Sequence, residues 1–170
     1  ESDAQYPRNT KFVGDNKDNI LLGLTKSDEL LGRGGRDVLI GGEGGDRMDG
    51  EQGNDQLLGS QDVHQDTYVI SEGNDVFFGF NLDSDFVEFD GSLDQLEYKD
   101  ILFKYQNEET PAVPSTVITV ASGDLKGNSA TIVGITKEEF VDPKPPIIDP
   151  EGNELIPITG GGGGNGGDGG

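Results

Sequence analysis

Gly32-Arg33-Gly34-Gly35-Arg36-Asp37-Val38-Leu39-Ile40, Gly41-Gly42-Glu43-Gly44-Gly45-Asp46-Arg47-Met48-Asp49 and Gly50-Glu51-Gln52-Gly53-Asn54-Asp55-Gln56-Leu57-Leu58 are consecutive blocks of nine residues with one pattern. Each opens on glycine, carries Asp at its sixth position and puts Leu or Met at its eighth. Outward from these blocks the glycine register runs Gly14, Gly23, Gly32, Gly41, Gly50, Gly59. The acid-or-amide register runs Asn19, Asp28, Asp37, Asp46, Asp55, and the apolar register Leu21, Leu30, Leu39, Met48, Leu57. A short fixed period marks a solenoid, in which each unit buries its apolar face only by stacking on its neighbours. The glycine-containing half of each unit reads as a turn, and a triplet such as Val38-Leu39-Ile40 as a strand of about three residues. The expected fold is all-β: a parallel β-roll of nonapeptide repeats over residues 14–80, after a lead-in over 1–13.

The rest of the chain departs from this period in stages. After Gly59 the register slips by two through Ser60-Gln61-Asp62-Val63-His64-Gln65, and resumes at Asp66-Thr67-Tyr68-Val69 and Gly73-Asn74-Asp75-Val76-Phe77. The apolar position is now aromatic (Tyr68, Phe77), so larger side chains are expected to close the coil. From Asn81 the period becomes two. Asp85-Phe86-Val87-Glu88-Phe89, Ile101 to Gln106, Thr116 to Ala121 and Ala130 to Val133 read as strands, with 107–115 as a hairpin loop. Ser92-Leu93-Asp94-Gln95 and Thr136-Lys137-Glu138-Glu139 read as capping boxes opening short helical turns. These make 81–142 a β-rich capping segment with a small antiparallel sheet. Residues 143–170 hold Pro143, Pro145, Pro146, Pro150, Pro157 and the Gly160–Gly170 run, and read as a linker or tail.

Composition narrows the function. The chain has 170 residues, 31% hydrophobic and 7% aromatic, with 28 glycines and a formal net charge of −21. A conventional core would be thin and a compact chain would repel itself. These numbers alone read as disorder. The period contradicts that, provided bound divalent cations neutralise carboxylates and add binding free energy to folding. Nucleic acid and anionic lipid are excluded as partners, since both are drawn to Lys/Arg patches. No run of eighteen apolar residues indicates membrane insertion. The absence of Cys excludes a disulfide scaffold and thiolate metal sites, and fits a bacterial extracellular protein. Glu1, with no Met and no leader, reads as the start of a processed or excised chain.

Calcium takes six to eight oxygens and mixes carboxylates with backbone carbonyls. A turn such as Gly41 to Asp46 offers both, because glycine permits the positive φ that aims successive carbonyls inward. One turn has too few ligands, so two stacked turns must share each ion. With two nonapeptides per coil the sharing pairs are Asn19 with Asp37, Asp28 with Asp46, Asp37 with Asp55 and, across the slip, Asp55 with Asp75. Several ions are expected.

The block resembles the repeats-in-toxin (RTX), hemolysin-type calcium-binding family, whose nonapeptide is Gly-Gly-x-Gly-x-Asp-x-apolar-x. Residues 41–49 match the loop fully and the units at Gly32 and Gly50 match well. The unit at Gly23 keeps only its first Gly and Asp28, and that at Gly14 puts Asn19 in the Asp position. The resemblance implies a calcium-loaded β-roll in a bacterial protein exported by type I secretion. It also implies backbone ligands at Gly32, Gly34, Gly41, Gly42, Gly44, Gly50 and Gly53. Residues 75–141 are similar to the serralysin-like segment that follows the roll in this family. The tail lacks the amphipathic or short apolar ending that the family usually carries.

Other candidates read plainly. His64, the sole histidine, is a loop residue with no second His to share a metal. Asp62 and Asp66 are assigned to a surface loop, the alternative being a calcium site across the slip. Tyr98, Phe103 and Tyr105 are assigned to the core of the capping segment rather than to a glycan platform. The carboxylates sit in exposed turns with no apolar pocket to raise one pKa, so no catalytic residue is assigned. The reading is a non-catalytic calcium-binding module of a secreted or cell-surface bacterial protein. It would fold on calcium outside the cell and act as folding nucleus, spacer or assembly element, by self-association or with a surface partner. The rival readings are the C-terminal module of a secreted protease, lipase or epimerase, and a glycan-binding adhesin domain.

Overall fold

In the computed structural model, residues 10–89, 96–103, 112–141, 147–148 and 154–155 are described. The repeat block forms short strands separated by turns: β1 Lys11–Val13, β2 Ile20–Thr25, β3 Glu29–Leu31, β4 Gly34–Gly35, β5 Val38–Glu43, β6 Arg47–Asp49, β7 Gln52–Gly53 and β8 Gln56–Leu58. β9 Thr67–Ile70, β10 Glu72–Phe78 and β11 Phe86–Phe89 follow. Consecutive strands fall alternately on two facing sheets. One carries β1-β3-β6-β9-β11 and the other β2-β5-β8-β10, all paired in parallel. Two nonapeptides therefore make one coil. Leu21 faces Leu39, which faces Leu57.

The slip after Gly59 is absorbed without breaking the stack. Met48 pairs with Tyr68 and Leu57 with Phe77, twenty residues on, and Tyr68 pairs with Val87, nineteen on. Extra residues bulge outward in loop 59–66 and the strands keep their register, because a one-residue error would turn every apolar side chain outward. The eighth-position residues fill the space between the sheets. Leu30, Leu39, Met48, Leu57, Tyr68, Phe77 and Val87 are all 0% exposed. Each such burial is worth roughly 1.5–3 kcal/mol, and the core is one side chain wide per strand. Tyr68 packs on Phe77 and Phe80, with centroids 5.1 and 5.2 Å apart.

Parallel stacking does not end at Phe80, since β11 continues it. β12 Leu96–Phe103, β13 Val113–Val120 and β14 Ser129–Val133 form an antiparallel set, and β14 joins the roll by pairing in parallel with β10. α1, Lys137–Val141, begins at a closed capping box: the Thr136 N–H donates to Glu139 Oε2 at 2.8 Å and the Glu139 N–H to Thr136 Oγ1 at 3.4 Å. The box expected at Ser92–Gln95 lies outside the described residues, as do 107–111 of the hairpin loop. Val113 to Ser115, read as loop, belong to β13, which extends to pair along all of β12. In the segment read as linker, β15 Ile147–Ile148 pairs in parallel with β11, and β16 Glu154–Leu155 pairs with β15. The open edge of β11 offers unpaired backbone groups that even a two-residue strand can use.

Candidate metal centres

Each coil returns its sixth-position acid to the same edge, and the acids stack in two ladders. On one edge the Asn19 N–H donates to Asp37 Oδ1 at 2.7 Å, the Asp37 N–H to Asp55 Oδ1 at 2.7 Å, and the Asp55 N–H to Asp75 Oδ1 at 3.0 Å. On the other the Thr10 N–H donates to Asp28 Oδ1 at 2.9 Å, that of Asp28 to Asp46 at 2.7 Å, that of Asp46 to Asp66 at 2.9 Å, and that of Asp66 to Asp85 at 3.1 Å. All four pairs read from the period are thus neighbours. One carboxylate oxygen of each acid is spent on tying coils together.

The other oxygen carries the chemistry. Oδ2 of Asp37, Asp46, Asp55 and Asp75 is buried and has no hydrogen-bond partner. Leaving a buried polar atom unpaired costs about 1–3 kcal/mol, more when it is charged. The acids do not sit in exposed turns as the sequence reading has them: stacking of the coils buries them, and desolvation is the main force on all four. It raises the Asp37 carboxyl, pushes Asp46 and Asp55 up to about 6, and pushes Asp75 up to about 7. These groups are poorly served as anions by the protein alone. A hard cation at Oδ2 is the partner that satisfies them, so the residues fit calcium. Among the described residues no three His, Cys, Asp or Glu side chains converge. The acids are strung one per loop, and the remaining ligands must come from backbone.

The backbone is arranged for this. A side chain at Gly32, Gly41 or Gly50 would run into Oδ2 of Asp37, Asp46 or Asp55. Gly42, Gly44 and Gly53 have φ of 99°, 123° and 150°. Gly34 does not share this geometry. Its neighbour Gly35, with φ 120°, pairs with Gly53 and holds the equivalent place. Counting forward from Gly32 would have found it. Loop 23–28, which lacks inner glycines, still makes the turn by holding Leu24 at φ 79° and Lys26 at 82°. Arg33 and Glu51 do the same at 80° and 60°. Four non-glycine residues in a left-handed conformation, each costing about 1–2 kcal/mol, are kept there by the stacking of whole coils.

The first loop differs. Asn19 Oδ1 accepts from the Asp15 N–H at 2.7 Å and its Nδ2 donates to Asp15 Oδ1 at 3.2 Å, so its side chain is already engaged. Asp28 is buried, with Oδ1 on Thr10. Asp66 corrects its assignment to a surface loop: it is 0% exposed and stands in a ladder. Asp85, which the sequence reading places only at the start of a strand, stands in the same ladder. Both were hidden because they follow their partners by 20 and 19 residues rather than 18. The apolar residues two places on, Tyr68 and Val87, were the available signal. Both oxygens of each are used within the protein, since Asp66 Oδ2 accepts from Ser60 N–H at 3.1 Å and Asp85 Oδ2 from Asn81 N–H at 2.7 Å. Asp62 binds the Gly44 and His64 N–H groups, which hold its carboxyl down at about 2.

A β-roll with a buried, half-satisfied acid in four of its loops has the make-up of a calcium-binding repeat module. The family model for the RTX calcium-binding nonapeptide repeat (4 copies) matches residues 13–48 and 22–57. Residues 13–57 are thus similar to RTX repeats, which bind Ca²⁺ between turns of the roll. Among solved structures the chain is similar to the AlgE6R3 subunit from the Azotobacter vinelandii mannuronan C5-epimerase. Identity is 17% and the TM-score 0.33, over 95% of this chain and 92% of that one. No curated protein matches the chain.

Proposed function

We propose that the chain is a non-catalytic module of a secreted bacterial protein, which folds when calcium fills the gaps between its loops and then serves as a rigid spacer. The supporting observation is the row of buried, unpartnered Oδ2 atoms on Asp37, Asp55 and Asp75, one coil apart on one edge, with that of Asp46 on the other. With Asp28 they supply the carboxylates, and Gly32, Gly35, Gly41, Gly42, Gly44, Gly50 and Gly53 the carbonyls. Asn19 is the weakest member, given its internal bonds. Residues 14–89 form the roll in this reading, and the antiparallel strands from Leu96 onward cover its far end.

The net charge of −21 supplies the switch. Without cations the ladders bring like charges together in a low-dielectric setting, and the chain stays expanded. Extracellular calcium modules bind at about 10⁻⁴–10⁻³ M, so such sites remain empty at cytosolic calcium and fill outside. Among the described residues no helix is long and apolar enough to cross a membrane. The test is far-UV circular dichroism during a calcium titration, with magnesium as control. A cooperative gain of β signal with calcium, reversed by chelator, is expected. A chain equally folded in chelator would refute the switch.

A further inference from the structure

The last loop on the Asp37–Asp55–Asp75 edge is built differently from the four loops between Gly23 and Asp55, although the first loop also keeps its second residue, Asp15, out of positive φ. In the loops that open at Gly23, Gly32, Gly41 and Gly50 the second residue has positive φ: Leu24 at 79°, Arg33 at 80°, Gly42 at 99° and Glu51 at 60°. One coil beyond Glu51 stands Ser71, because Gln52 and Gly53 pair with Glu72 and Gly73. The fourth position is retained, with Gly73 at φ 135° beside Gly53 at 150°. The second is not, since Ser71 is absent from the positive-φ residues. The peptide unit entering that position is therefore rotated relative to the other four loops.

Where the backbone has turned away, a side chain supplies oxygen. Ser71 is 1% exposed and its Oγ has no hydrogen-bond partner. Asp75, four residues on, is 1% exposed and its Oδ2 has none either. The two residues stand at the two ends of one turn, where the Ser71 backbone amide lies near enough to the Asp75 carboxylate to favour its ionised form. Asp55, whose N–H donates to Asp75 Oδ1, adds a further unpartnered Oδ2 from the preceding loop. The opposite edge has no counterpart at this end of the roll, since Asp66 and Asp85 spend both oxygens on the protein.

We propose that this loop binds calcium through the Ser71 hydroxyl together with the Asp75 carboxylate, making a site of its own composition at the end of the row. A neutral hydroxyl beside a carboxylate, in place of a carbonyl, suits a hard cation that takes oxygen only. The assignment rests on the calcium reading above, and the experiment separates the two. Calorimetric titration of the full chain with calcium counts its sites, for the wild type and for Ser71→Ala. The expected result is one site weakened about tenfold or more, the scale that loss of a metal-site partner costs. The other sites and the calcium-saturated dichroism spectrum should be unchanged. Unaltered number and affinity in S71A overturns the serine site while leaving the calcium module standing. No binding by the wild type overturns both. Should S71A fail to fold, a crystal structure of the calcium-loaded wild type decides. An ion within about 2.6 Å of both Ser71 Oγ and Asp75 Oδ2 is expected, and an ion touching only one of them overturns the proposal.

Discussion

Asp55→Asn is expected to move stability in opposite directions with and without calcium. Asp55 is fully buried, its Oδ1 accepts from Asp37 N–H at 2.7 Å, and its Oδ2 has no partner. Burial raises its carboxyl from the ordinary 3.8 to about 6. Near pH 8 the ionised group therefore costs the metal-free fold roughly 3 kcal/mol. Asparagine keeps the acceptor for Asp37 and removes the charge, but leaves a buried NH₂ that costs about 1–3 kcal/mol. The net expectation in chelator is a gain of about 1 kcal/mol. In calcium the sign reverses. A site filled at 100 times its dissociation constant stabilises by about 2.7 kcal/mol, and D55N forfeits most of that on its own edge. Urea unfolding followed by circular dichroism reads both arms, with sucrose present throughout to favour the compact state. Asp46→Asn is the matched control on the other edge and should leave binding at the Asp37–Asp55–Asp75 ladder intact. A D55N variant less stable than the wild type by the same amount in chelator and in calcium would refute the reasoning, because Asp55 would then be only a structural hydrogen-bond acceptor.

Acid should promote folding of the chelated chain. Asp46 and Asp55 are raised to about 6 and Asp66 and Asp75 to about 7, all above their unfolded 3.8, so the folded state binds protons more tightly. Stability is fullest below about pH 4 and is lost as pH rises through 6 to 7. A dichroism series in chelator from about pH 8 down to 4 should gain β signal, and loss of signal over that interval would count against the burial of these acids. Gly53→Ala should cost more than about 3 kcal/mol in calcium-loaded urea unfolding, because φ is 150° and the new methyl would meet the Gly35 carbonyl. Gly127→Ala, at φ 93° with open space around it, should cost only about 1–2 kcal/mol. Equal losses for the two would mean that the coils do not stack as closely as described.

What the sequence determined by itself is whatever depends on period. Spacing of nine, with glycine, acid and apolar residue in constant phase, dictates one turn and one short strand per repeat. It also dictates a core of one residue per strand and, given two repeats per coil, which acids become neighbours, because a solenoid has only nearest-neighbour contacts to get right. The capping box at Thr136 was legible for the same reason, being closed within four residues. Tertiary structure decided what happens where the period fails. Whether loop 59–66 ends the roll or bulges from it depends on the register of β9 against β6, and that is set by burying Tyr68 and Phe77, twenty residues from their partners. Only the folded stack assigns Asp66 and Asp85 to a ladder and satisfies both their oxygens. Only the stack holds Leu24, Lys26, Arg33 and Glu51 at positive φ, against their local preference. The same stack leaves Ser71 Oγ and one oxygen on each of four aspartates buried without a partner, because coil spacing is set by the β-ladder and not by the reach of the carboxylates.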